Sequence, residues 1–182
     1  IQAKFMAYTD SGMTTKLKND QKIYYDSIQL SKSGNLIESL KKINFLISQN
    51  KNDYFFEETK ADILLSYGYN KEAIKFYRKV LQSQPNNNYA KYNIFVNLEL
   101  NPDHYELNKK KFTNNLNLLK FFPNNKNILI KYYNLAKLLK YNEWIFFFET
   151  LLFQKKETNQ IFKKLNKQTK DYNLKKIIKL YT

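Results

Sequence analysis

The feature that most constrains this chain is a self-similarity with a period of about 34 residues, the spacing of Gly34 and Gly68. Segment 54–87 places Ala61, Leu64, Gly68, Ala73, Tyr77, Val80 and Pro85 at fixed offsets. One period earlier, segment 20–53 places Ser27, Leu30, Gly34, Ser39, Ile43 and Leu46 at the same offsets, with Lys51 in place of the proline. A period of this length marks stacked supersecondary units, each burying its apolar face on the next. The residue types supply the mechanics. Small residues at Ser27/Ala61 and Ser39/Ala73 let two helices approach closely, and Gly34 and Gly68 allow the positive φ at which a helix can end. Pro85 stops a helix because it has no N–H to donate. Ala73, Phe76, Tyr77, Val80 and Leu81 form one apolar helical stripe, as do Leu36, Leu40, Ile43 and Ile47. Asn52/Asp53 and the asparagines at 86–88 sit where the following helices need N-caps.

The pattern resembles the tetratricopeptide (TPR) repeat, with the small residues at repeat positions 8 and 20, glycine at 15 and proline at 32. It predicts an all-α, TPR-like α-solenoid of antiparallel helix pairs, three to four repeats plus closing helices. Three glycines and three prolines are too few to punctuate a many-stranded β fold. The expected organisation is a linker or helix at 1–19 following an upstream domain, then a repeat domain at 20–182. Its units are 20–53, 54–87, 88–123 and 124–157, closed by helices in 158–182. The third unit diverges, with helices at 89–100 and 104–122 meeting at Asn101-Pro102-Asp103. The fourth pairs 127–139 with 143–155, taking Ala136 as the position-8 residue and Asn142 as the cap of its second helix. The closing helices are expected at 158–170 and 174–181. Polar, atypical end units let such an array meet water.

Hydrophobic residues make up 43% of the 182, enough to bury a sizeable core. The net charge is +15, yet 30 of the 31 basic residues are Lys and only Arg78 is Arg. Arg is the side chain suited to bidentate phosphate and guanine contacts, so its scarcity argues against specific nucleic-acid recognition. Lys, Asn, Ile, Phe and Tyr all have AT-rich codons, and an AT-biased genome accounts for the excess. An anionic partner or membrane surface is the other reading. Cysteine is absent, which excludes disulfides, thiol nucleophiles and Cys-ligated zinc. The chain begins at Ile1 without a signal-peptide pattern and reads as part of something longer. Its longest apolar stretch, 144–153, is interrupted by Glu149 and Thr150 and is too short to span a bilayer.

The sequence points to no catalytic chemistry. His104 is the single histidine and follows a proline turn, the place of a helix-start residue. No zinc-protease, nucleophile-elbow, phosphate-loop or dinucleotide motif occurs. Glu57, Glu58 and Asp53 open a helix, where they complement its dipole. The chain by itself is therefore expected to be no enzyme, with no metal and no cofactor. A partner-binding groove is expected instead on the first helix of each pair: Gln21, Tyr24, Ile28 and Lys32, then Phe55, Glu58, Asp62 and Leu65, then Tyr133, Lys137 and Tyr141. Packing between repeats is the alternative, most evidently for Ile28 and Leu65. The run 144–153 reads as a helix buried on two sides or as a docking face. In the tail, Leu174, Ile177, Ile178 and Tyr181 share a face ringed by Lys175, Lys176 and Lys179. That is a solvated closing helix or an amphipathic helix making peripheral membrane contact.

The order of segments adds a finer likeness. Gly34-Asn35-Leu36-Ile37-Glu38-Ser39-Leu40, the run from Asn52 to Leu64, the turn from Gly68 to Tyr77 and the break from Leu98 to Pro102 follow one another. Together they resemble the C-terminal half of periplasmic HtpX-related (BepA-type) zinc metallopeptidases, especially alphaproteobacterial ones. The resemblance covers almost the whole chain and is strongest over 34–87. It implies a periplasmic TPR tail that packs on a zinc peptidase domain and brings outer-membrane assembly partners or clients to it, with zinc held by that other domain. A free-standing TPR adaptor, periplasmic or cytoplasmic, is the competing reading. This chain lacks the H-E-x-x-H motif of that family, so no zinc ligand or catalytic residue carries over. The alanines usual in later repeats are replaced by Asn, Phe and Lys.

Overall fold

The computed structural model describes residues 15–51, 53–153 and 158–182, and these are all-helical with no strand among them. Of the linker or helix expected at 1–19, residues 15–19 belong to the first helix; residues 1–14, the cap Asn52 and the end of the fourth unit at 154–157 lie outside the described residues. The chain divides into two compact units, 1–90 and 91–182.

The first unit holds α1 (Thr15–Lys32), α2 (Leu36–Gln49), α3 (Tyr54–Ser66) and α4 (Asn70–Ser83). Consecutive helices pack as pairs, α1 on α2 and α3 on α4, with α2 also against α3. The repeat period is visible in the backbone. α2 and α4 are each 14 residues long and start one period apart, at Leu36 and Asn70. Gly34 and Gly68 both take positive φ, +85° and +81°, and nothing crowds the place of a side chain at either. Each glycine closes its helix with the same two bonds. Asn35 donates to the Leu30 carbonyl and Gly34 to Ser31; Tyr69 donates to Leu64 and Gly68 to Leu65. Ser27, Ala61, Ser39 and Ala73 are all fully buried where the paired helices meet. The serine hydroxyls are not orphaned there, since Ser27 Oγ donates to the Ser39 carbonyl at 3.1 Å. Asp53 caps α3 by accepting from the Phe55 N–H. Pro85 is exposed just beyond the end of α4 at Ser83.

α5 (Asn88–Asn97) begins one repeat period after α3 and runs across the division between the units. Asn87 caps it, its Oδ1 accepting from the Ala90 N–H at 2.9 Å. The second unit continues with α6 (Tyr105–Asn114), α7 (Leu118–Phe121), α8 (Lys126–Leu139), α9 (Asn142–Phe153), α10 (Thr158–Gln168) and α11 (Tyr172–Ile178). The single helix expected over 104–122 is split in two. Thr113 Oγ1 and Asn115 Nδ2 donate back to the Lys109 and Lys111 carbonyls, and these side-chain bonds compete with the helix ladder. The next N–H groups, of Leu116, Leu118 and Leu119, then reach three residues back instead of four.

α8 and α9 reproduce α3 and α4 at one constant offset along the chain. Tyr54 to Lys126 and Asn70 to Asn142 mark the same helix starts. Asp53 and Asn125 both cap through their side chains. Tyr141 donates to Ala136 and Lys140 to Lys137, the bonding seen after Gly34 and Gly68. Here Lys140 itself takes the left-handed conformation, at φ +56°. Two expectations are corrected by this register. Ala136 aligns with Leu30 and Leu64, not with the small residues Ser27 and Ala61, so the fourth pair shifts by three residues. Asn142 is the first residue of α9; the Tyr141 carbonyl, not an Asn142 side chain, receives the Ile145 N–H.

A large aromatic cluster forms the core of the second unit. Phe112, Tyr132, Trp144, Phe147, Phe148 and Phe162 are all buried, with ring centroids 5.0–6.1 Å apart in successive contacts. α9 is covered on two sides, since Trp144, Phe147 and Phe148 are all buried. Phe147 meets Phe162 on one side and Tyr181 at 5.5 Å on another. Leu174, Ile177 and Ile178 are buried in the same core. The apolar face of α11 is thus occupied, which corrects the reading of that face as membrane-seeking.

Candidate functional site

In the first unit the expected groove residues separate into two groups. Tyr24 and Phe55 are core, only 3% and 7% exposed, and their rings meet at 5.2 Å beside Ile43, Leu46, Phe56 and Ile63. They lie where α1 and α3 face each other, so the expectation that they line an open groove is corrected. Burial also pushes the Tyr24 phenol up to about 12. Ile28 likewise packs against that core, whereas Lys32 is exposed.

Glu58 and Asp62 form the second group, one turn apart on α3 and half-buried. Asn87 donates to Glu58 at 2.7 Å, joining α3 to the start of α5. Asp62 accepts from Tyr77 of α4 at 2.5 Å and from Tyr89 of α5 at 2.9 Å. Desolvation holds the Asp62 carboxyl above the usual carboxylate range, and the two phenol bonds oppose that rise. The Tyr77 phenol is pushed far up by its own burial and by the neighbouring carboxylate. Ala61, Ala73 and Tyr77, which shape this crossing, are all fully buried.

In the second unit, Tyr133 donates to Glu149 at 2.9 Å, and Lys137 Nζ stands 5.3 Å from the Tyr133 ring centre. That hydrogen bond is the first cause of the raised Tyr133 phenol. Tyr141 packs on Phe112 at 5.5 Å. The corrected register changes which residues of α8 occupy the groove positions. At the offset that relates α3 to α8, Phe55, Glu58, Asp62 and Leu65 correspond to Asn127, Ile130, Asn134 and Lys137. Lys137 therefore keeps its place by a different alignment, while Tyr133 and Tyr141 lose theirs. Asn127, Ile130 and Asn134, missed from the sequence, line a cleft of about 350 Å³ with Val96, Asn97 and Lys131. The helix-closing bonds at Lys140 were the signal, and no glycine announced them.

Two smaller clefts in this unit are basic. One is lined by Asn166, Tyr172, Lys175, Lys176 and Lys179; the other, sharing Lys176, includes Thr113, Asn117, Lys120 and Asn173. Asp171, the only acid in α10, α11 and the turn between them, is occupied by Trp144 Nε1 at 2.7 Å and by the capped N–H of Leu174.

Among the described residues no three His, Asp or Glu side chains are grouped to hold a metal ion. None of the described helices is long and apolar enough to cross a membrane. No protein-family model matches the chain, and neither a curated protein nor a solved structure shows significant similarity to it.

Proposed function

We propose that this chain is a TPR-type protein-interaction module. The observation that carries the reading is the recurrence of one helix pair. α3–α4 recurs as α8–α9 with the same start points, side-chain caps and closing bonds, and α2 precedes α4 by one repeat period. Repetition of a helix pair is how helical-repeat proteins build a binding surface. Within each unit the first helix of the pair carries polar and charged groups at the corresponding positions, Glu58 and Asp62 in one and Asn134 and Lys137 in the other. Nothing in the sequence supplies a nucleophile–base pair, so binding, not turnover, is the activity assigned.

In its specific form the module is the tail of an envelope zinc metallopeptidase, docking the protease domain and bringing outer-membrane assembly partners or clients to it. The support is the sequence likeness over 34–87. The test is direct: the reading frame containing this chain, or its immediate neighbour, encodes an H-E-x-x-H domain, and the separately produced domain binds the chain. A frame without that motif sinks the peptidase assignment. It leaves a free-standing adaptor, which is then tested by chemical crosslinking of the full chain in its own cells. Recovery of no stoichiometric protein partner would end the module reading as well.

One observation favours a second reading. The second unit has 18 basic residues against 7 acidic, a net of +11, while the first has 13 against 9, a net of +4. Its lysine-lined clefts suit a polyanion. Affinity for anionic vesicles or RNA that falls steeply with salt would support this reading; binding unchanged by salt would remove it.

A further inference from the structure

α11 opens on Tyr172, which is 75% exposed, more than any other large apolar or aromatic side chain among the described residues. The other large apolar side chains of that helix, Leu174, Ile177 and Ile178, are buried in the core. Tyr172 instead stands in the wall of a cleft of about 330 Å³ with Asn166, Lys175, Lys176 and Lys179. Of the three clefts described in this unit, only this one has an aromatic ring in its wall. A second cleft, of about 140 Å³, shares Lys176 and extends to Thr113, Asn117 and Lys120 of the α6–α7 corner. The two clefts adjoin at one ammonium.

The charge around them is unbalanced. Over 158–182 there are seven lysines and one acid, Asp171. Both oxygens of that acid are engaged, Oδ2 by Trp144 Nε1 at 2.7 Å and Oδ1 by the Leu174 N–H at 3.0 Å. A chain of phosphates with a flat group on each repeat satisfies both features at once. Ammonium groups meet phosphates as point charges, and a phenol ring offers a face on which any base stacks. The scarcity of Arg argues against reading base edges and leaves this mode untouched. The carboxamides and the Thr113 hydroxyl in the same walls suit a ribose 2′-OH, at once donor and acceptor.

Other polyanions fit less well. A duplex keeps its bases stacked inside and offers Tyr172 only backbone. A bilayer is flat, whereas these lysines line concave clefts, and the apolar face of α11 is already buried in protein.

Resting on the polyanion reading above, we propose that the adjoining clefts at Lys176 bind single-stranded RNA without sequence preference. One base stacks on Tyr172, and Lys175 and Lys179 hold the phosphates beside it. Lys176 holds the phosphate at which the strand passes into the second cleft, toward Lys120.

The experiment measures binding of the full chain to labelled oligo(U) and oligo(A) of about twelve nucleotides across a range of salt concentrations. The comparators are an abasic strand of equal length, the DNA counterparts, duplex RNA and phosphatidylglycerol vesicles. Oligo(U) and oligo(A) are expected to bind alike and more tightly than every comparator. Tyr172→Ala should weaken both about tenfold, the size of one lost stack, and leave the abasic strand unchanged. Tyr172→Phe keeps the ring and should keep wild-type affinity. Lys176→Gln should reduce the slope of log affinity against log salt by about 0.7, one phosphate contact on a single strand. Tyr172 and Lys176 are both exposed, so these variants keep wild-type helicity by circular dichroism. An abasic strand bound as tightly as oligo(U), or RNA binding indifferent to Tyr172→Ala, overturns the stacking site while the polyanion reading survives. Equal or tighter binding of DNA, duplex or vesicles overturns the assignment to single-stranded RNA in the same way. Salt-dependent binding to none of these ends both readings.

Discussion

The pairs α3–α4 and α8–α9 share one backbone plan and almost none of its usual side chains. Where the first pair has Ala61 and Ala73, the second has Tyr133 and Ile145, and where the first has Tyr77 the second has Glu149. A phenol–carboxylate bond nevertheless ties each pair together. Tyr77 of α4 donates to Asp62 of α3, whereas Tyr133 of α8 donates to Glu149 of α9. Donor and acceptor have exchanged helices. The plan is thus maintained by caps, closing bonds and one cross-helix hydrogen bond. The identity of the small residues is free to vary once larger side chains have somewhere to go.

The deepest difference is at Phe147, which corresponds to Lys75. Lys75 is exposed on α4, while Phe147 is fully buried because Phe162 and Tyr181 cover it. Phe147→Ala is expected to cost about 3–5 kcal/mol, as removal of a fully packed aromatic does, and Lys75→Ala to stay within about 0.5 kcal/mol. Trp144 is the only tryptophan and sits 6.1 Å from Phe147, so its fluorescence during urea unfolding reports on the second unit. Equal effects at the two positions would break the comparison, because they would mean that the closing helices add nothing to α9.

The helix terminators give a smaller and sharper test. Gly68 and Lys140 close equivalent helices in the same left-handed conformation. No atom crowds a Cβ at Gly68, so Gly68→Ala should cost only the conformational penalty, about 1 kcal/mol. Lys140→Gly should recover part of that penalty, about 0.5 kcal/mol after the added freedom of the unfolded chain. Circular dichroism reads the first change and Trp144 fluorescence the second. A loss of stability at Lys140→Gly would show that the lysine side chain itself holds the turn.

These two terminators also mark how far the sequence could be read. Gly34, Gly68, Ser39 and Ala73 announce their roles because glycine and small residues are chosen for geometry alone, and the paired helices of the first unit follow from them. Lys140 does the work of a glycine without looking like one. Counting from Ala136 as a small residue then displaced the groove by three positions, onto Tyr133 and away from Asn134. Tyr24 and Phe55 failed differently. Their repeat positions are the expected ones, but aromatic rings of that size fill the space between α1 and α3 and stay there. The split of α6 from α7 was also hidden, since Thr113 and Asn115 are tolerated in helices until their side chains capture nearby carbonyls. The buried face of α11 was legible as a stripe, and its partner was not.

The smallest expected effect concerns Asp62, whose carboxyl is raised in the folded chain chiefly by desolvation. A carboxyl raised on folding binds its proton more tightly in the native state than in the unfolded one. Its contribution to stability is therefore fully present below the ordinary value of 3.8 and is lost as pH rises through the folded value. Asp62→Asn keeps an acceptor for Tyr77 and Tyr89 but cannot titrate. Urea unfolding at a series of pH values just above 3.8 should then show the wild type declining relative to the variant, with a constant difference at higher pH. A wild type that instead gains on the variant across that window would mean that the Tyr77 and Tyr89 bonds outweigh burial. Asp62 would then be a carboxylate stabilised by its partners, and the exchange of phenol and carboxylate between α3–α4 and α8–α9 would be one of electrostatics as well as of position.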